Sequence, residues 1–71
     1  MIDEKALRHA MLDADCTVKE LAKVCEISVS ALYARLNGKV SFMTDEILRI
    51  KDHLNLTWPQ CNAIFFVQKV S

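Results

Sequence analysis

With 71 residues the chain has room for one domain around one small core, and a hydrophobic fraction of 52% meets what an unstapled core of that size requires. One glycine and one proline leave little material for long loops or hairpins, and Val, Ile and aromatic residues show no sustained alternation, so a sheet is excluded and an all-helical domain spanning 1–71 is expected. Nine Lys plus Arg balance nine Asp plus Glu, which argues against a partner held by net charge alone.

The charge is unevenly spread. Residues 1–16 carry −2, residues 17–41 carry +2, and residues 42–71 carry zero. Residues 63–67 form the longest apolar run, far short of a bilayer span, so neither a membrane segment nor a signal peptide is expected.

The first helix is expected over residues 3–12, opened by Asp3 and Glu4, whose charges suit the positive end of a helix dipole. Leu7, Ala10, Met11 and Ala14 form its inner stripe.

The next stretch, T-V-K-E-L-A-K-V-C-E-I-S-V-S-A-L-Y-A-R-L-N-G-K over residues 17–39, reads as two short helices joined by a tight turn. Thr17 and Glu20 have the spacing of a reciprocal capping box, so a helix starts at Val18. Val18, Leu21, Ala22 and Cys25 then fall on one apolar stripe, with Lys19, Glu20 and Lys23 turned away. Ala22 presents only a methyl group, which lets a second helix cross closely. Ile27 plugs the turn, Ser28 offers a second N-cap, and Leu32 and Leu36 fix the inner face of a helix that closes at Asn37 and Gly38.

Residues 39–43 lead into a fourth helix, for which Thr44 is expected as cap and Asp45 and Glu46 as first-turn acids that complement the dipole. Ile47, Ile50 and Leu54 line one face, with Leu48 at its margin. After Asn55, T-W-P-Q forms another capping box, with Thr57 as cap, Gln60 at the third helical position and Pro59 in the first turn. Cys61, Ile64 and Phe65 point inward in the fifth helix. Phe66 is out of phase with them. Either it wraps back onto the first or fourth helix, or Trp58, Phe66 and Val67 leave an apolar patch that pairs two subunits. The expected core joins Leu21, Ala22, Ile27, Leu32, Leu36, Ile47, Ile50, Leu54, Ile64 and Phe65.

The order E-L-A-x-x-x-x-I-S-x-S-x-L-x-x-x-L-N-G-K resembles the Cro/repressor class of helix-turn-helix regulators, the XRE-like proteins, with the motif at about residues 17–38. The following S-F-M-T-D-E-I-L-R-I-K-D-H-L-N-L-T-W-P-Q-C-N-A-I-F-F is similar to the small phage-regulator branch of that class. Two positions depart from the pattern. Glu26 stands where the class usually has glycine in the turn, and a non-glycine residue at positive φ costs roughly 1 kcal/mol. Met11 stands where it often has an arginine that contacts phosphate.

The resemblance implies a five-helix lambda-repressor-like fold that binds an operator in double-stranded DNA, with the second helix of the motif in the major groove. Carried over position by position, Ser28, Val29, Ser30, Tyr33 and Ala34 become base-facing, with Arg35 at their margin. Thr17 and Val18 would offer backbone N–H groups to a phosphate, Asn37, Lys39 and Ser41 would hold the backbone on the other side, and Lys19 and Lys23 would add charge. Members of the class commonly bind as dimers. The set lacks the Arg, Gln or Asn pairs that read guanine or adenine bidentately, so readout rests on hydroxyls, a tyrosine and contacts with thymine methyls. Val29 and Tyr33 have a second reading as cover for the domain's own core edge. A neutral motif with an apolar outer face also suits an antirepressor, which would bind a phage repressor protein instead of DNA.

No catalytic constellation is present: the chain has no G-x-S-x-G, no phosphate-cradling glycine loop and no cluster of His or carboxylates at metal spacing. Neither an enzyme nor a cofactor or metal is expected. Cys16, Cys25 and Cys61 show no C-x-x-C spacing and read as reduced thiols in or near the core of a protein in the host bacterial cytosol. His9 and His53 lie near no cysteine at ligand spacing and read as solvated helix residues.

Overall fold

The computed structural model describes residues 2–67 and consists of α1 (Glu4–Asp13), α2 (Val18–Cys25), α3 (Val29–Leu36), α4 (Thr44–His53) and α5 (Trp58–Phe65). Among the described residues there is no strand.

The junctions α1–α2, α2–α3 and α4–α5 share one design. Asp15, Glu26 and Asn55 take the left-handed conformation, with φ of 52°, 58° and 54°. The next residue then donates its N–H back to the carbonyl five positions earlier: Cys16 to Met11 at 2.8 Å, Ile27 to Ala22 at 3.0 Å, Leu56 to Lys51 at 2.9 Å. This is the Schellman closure, in which a left-handed residue satisfies carbonyls that the helix end would leave unpaired. Thr17, Ser28 and Thr57 follow at once in extended conformation, and each side-chain oxygen accepts the N–H three residues on, from Glu20, Ala31 and Gln60. The hydrophobic residue between closure and cap, Cys16, Ile27 or Leu56, packs into or against the core. At these junctions only three or four residues therefore separate one helix from the next. α3 closes in the same way on Gly38 (φ 80°), with the Lys39 N–H on the Ala34 carbonyl at 2.9 Å.

Leu7, Leu21, Leu32, Ile50 and Cys61, one from each helix, have no or almost no solvent contact and form the centre of the core. Ala22 is buried on the inner stripe of α2. Nine of the ten expected core residues are buried, and Ile27 is half-buried against them. The core extends further, taking in Met11, Cys16, Cys25, Leu56 and Phe42, whose ring meets that of Phe65 edge-on at 5.3 Å.

Three local expectations are corrected, and one of the two readings of Phe66 falls away. Asp3 caps α1 instead of opening it, its carboxylate accepting the Ala6 N–H at 3.0 Å, and its own N–H donates to the Ile64 carbonyl of α5 at 2.7 Å. Ala14 falls beyond the end of α1 and is exposed. Thr44 is the first residue of α4, not its cap: Met43 precedes it, and Glu46 accepts the Met43 N–H at 2.9 Å. Phe66 does not wrap back onto the core but stands 58% exposed, as Trp58 does at 57%.

Candidate nucleic-acid interface

The cap at Thr17 leaves the N-terminus of α2 open to solvent. Its first-turn N–H groups, other than the one taken by Thr17, have no partner within the helix and carry the positive end of its dipole. Thr17 and Val18 line an open cleft with Arg8, Met11, Leu12 and Cys16. Arg8 is the cation that the expected set lacked. It pairs with Glu4 one turn away at 2.9 Å, and its guanidinium carbon stands 6.0 Å from the centre of the Tyr33 ring on α3. An arginine in the first half of α1 thus reaches the edge of the motif, where the Met11 side chain is buried in the core.

Ser28, Val29, Ser30 and Tyr33 are exposed on α3, and Ala34 is half-buried. Val29 and Tyr33 keep about two-fifths of their surface in solvent, so the reading that they simply cover the core edge accounts for only part of each side chain. Ser28 Oγ accepts from Ala31 at 3.1 Å, which leaves its own O–H free to donate outward. Lys19 and Lys23 lie one turn apart on the solvent face of α2, and Asn37, Lys39 and Ser41 are exposed around the closure of α3.

Arg35 is placed differently from its neighbours. Its guanidinium turns inward, donating from Nε and a terminal nitrogen to the two Glu46 oxygens at 2.9 and 3.1 Å and from the other terminal nitrogen to the Ala31 carbonyl at 3.1 Å. Glu46 is buried, so its part is more than dipole complementing: it ties the last turn of α3 to the first turn of α4. Arg49 does similar work for the turn of the motif, reaching Glu26 at 2.7 Å and the Cys25 carbonyl at 3.5 Å. Both arginines are held by acids distant in sequence, which neither local periodicity nor capping spacing could show.

Glu20 does not complete its capping box. Its carboxylate lies 2.8 Å from His53 Nε2, across from α2 to the end of α4. That contact, followed by the neighbouring Cys16 thiol, holds the Glu20 carboxyl below its ordinary value. His53 is therefore a partner of Glu20 beside Cys16, not a freely solvated residue. All three cysteines are buried and free. Burial, reinforced by Glu20, pushes the Cys16 thiol up to about 11, and burial with Glu46 nearby does the same for Cys25.

A model of the Cro/C1-type helix-turn-helix DNA-binding domain matches residues 6–60, well over half of the chain. The chain belongs to that family. No curated protein and no solved structure matches it. As a Cro/C1-type helix-turn-helix domain it has the all-α, lambda-repressor-like fold. Among its described residues no helix is long and apolar enough to cross a membrane.

Proposed function

We propose that this Cro/C1-type domain is a sequence-specific transcriptional regulator of phage Cro/repressor type, which acts on an operator in the bacterial cytosol with residues 1–71 as one functional unit. α3 enters the major groove, with Ser28, Val29, Ser30, Tyr33 and Ala34 towards base edges. Thr17 and Val18 offer N–H groups to one phosphate, joined by Arg8, while Lys19, Lys23, Asn37, Lys39 and Ser41 meet the backbone on either side. Arg35, expected at the margin of the reading set, instead orients α3 through Glu46. The observation that carries this reading is the exposure of Val29 and Tyr33 on α3 beside the open N-terminus of α2. Readout then depends on hydroxyls and on apolar contact with thymine methyls, and discrimination is modest at each base pair. A homodimer through exposed Trp58, Phe66 and Val67 would place two such faces on a two-fold operator.

The second reading is an antirepressor whose α3 face binds a phage repressor; zero net charge and the apolar character of Val29 and Tyr33 favour it. Selection from a pool of random duplexes separates the two. A DNA reader enriches a defined sequence, and Ser30→Ala changes which sequence is enriched. An antirepressor enriches none, while Val29→Asp abolishes its capture of the repressor.

A further inference from the structure

We propose that Cys16, Glu20 and His53 form a binding site for one transition-metal dication of the zinc class. The three come from separate places: the α1–α2 junction, the first turn of α2 and the last residue of α4. The fold nevertheless brings one donor atom from each within 4.8 Å of the other two.

The spacing suits a small tetrahedral ion. Metal–ligand bonds of about 2.0–2.3 Å at tetrahedral angles set donor atoms roughly 3.4–3.6 Å apart. Glu20 Oε2 and His53 Nε2, now 2.8 Å apart, need to separate slightly, and no pair needs to close by more than about 1.4 Å. Both side chains can adjust, since 47% of Glu20 and 37% of His53 is exposed. The buried thiol is the fixed point of the site.

Donor chemistry narrows the ion. A thiolate with an imidazole and a single carboxylate favours zinc or cobalt over magnesium or calcium, which prefer several oxygens. Three protein ligands leave a fourth position for water on the exposed side. The Cys16 thiol now directs its proton towards the Thr17 carbonyl at 3.6 Å and His53 Nε2 faces a carboxylate, so binding releases the thiol proton to solvent and shifts the imidazole proton from Nε2 to Nδ1 as sulfur and nitrogen take the metal. Cys25 and Cys61 belong to no such group among the described residues. A bound ion would bridge the start of α2 to the end of α4 beside the Thr17 cap.

The test is titration of the reduced, chelator-treated full chain with cobalt(II) alone. The expected result is a thiolate-to-cobalt charge-transfer band with the strong visible absorption of a four-coordinate ion, saturating at one ion per chain and bleached by zinc. Cys16→Ser should abolish the charge-transfer band and Cys25→Ser should retain it. Glu20→Gln and His53→Gln, at exposed positions that keep the fold, should each weaken cobalt affinity by about tenfold or more. Absence of the band from the wild-type chain in excess cobalt would overturn the proposal. So would a band that persists in Cys16→Ser, or an affinity unchanged in both exposed variants.

Discussion

Arg35 and Glu46 form a two-point ion pair between the last turn of α3 and the first turn of α4, at 2.9 and 3.1 Å, with only 13% and 6% of their side chains exposed. One carboxylate oxygen also accepts the Met43 N–H, so a single acid caps α4 and anchors the helix proposed to meet DNA. Glu46→Ala leaves a largely buried guanidinium without its counter-charge and Met43 without an acceptor. Breaking such a pair from one side costs about 3–5 kcal/mol. Urea unfolding should show a loss of that order; a change below about 1 kcal/mol would mean that solvent replaces the carboxylate at little cost.

Ala22 tests the packing of α2. It is buried on the inner stripe of α2, a helix that packs against both α3 and α4. Ala22→Leu should overpack this contact and lower stability by about 1–3 kcal/mol. An unchanged thermal midpoint would show that the helices do not meet at that methyl.

Gly38 tests backbone strain without a steric contribution. Its φ is 80°, and a Cβ built there meets nothing within 4 Å. Gly38→Ala should therefore cost only the left-handed penalty, offset in part by the stiffer unfolded chain, for a net loss of about 1 kcal/mol. A stabilised variant would show that the turn relaxes out of the left-handed region.

Cys25 gives the fold an alkaline limb. Burial first, then the Glu46 charge, raises its thiol from 9.0 to about 11. Between those values the folded chain keeps a proton that the unfolded chain has lost. The corresponding stability is fully present below pH 9 and declines as pH rises towards 11. Urea midpoints across this range should fall less steeply for Cys25→Ala than for the wild type. Parallel slopes would show that the thiol ionises equally in both states.

The legible parts of the chain were those whose chemistry is local. Thr17, Ser28 and Thr57 could be identified as caps because each needs only its own oxygen and an N–H three residues on, and the stripe of α2 follows from helical spacing. The unusual φ of Glu26 was foreshadowed by the glycine that the Cro/repressor class usually has there. Asp15 and Asn55 gave no such signal, since their left-handed closures depend on where the preceding helices run out. Thr44 resembled a cap because it precedes two acids, whereas the cap is Met43, whose N–H is accepted by a glutamate also committed to Arg35. The pairing of Glu20 with His53 spans 33 residues and requires the assembled α2–α4 packing. For the interface, the exposed face of α3 was legible from the motif, whereas Arg8 beside Tyr33 and the inward turn of Arg35 were not. Long side chains settle on whichever partner the tertiary fold supplies.

The proposal that α3 reads DNA is tested most directly by the salt dependence of binding to a selected duplex, compared between the wild type and Lys39→Ala. Lys39 is exposed beside the closure of α3 and is assigned to a phosphate. Its removal should weaken binding about equally across sequences and reduce the magnitude of the slope of log K against log salt by ~1. The contradicting result is an isolated protein that binds no duplex even at low salt.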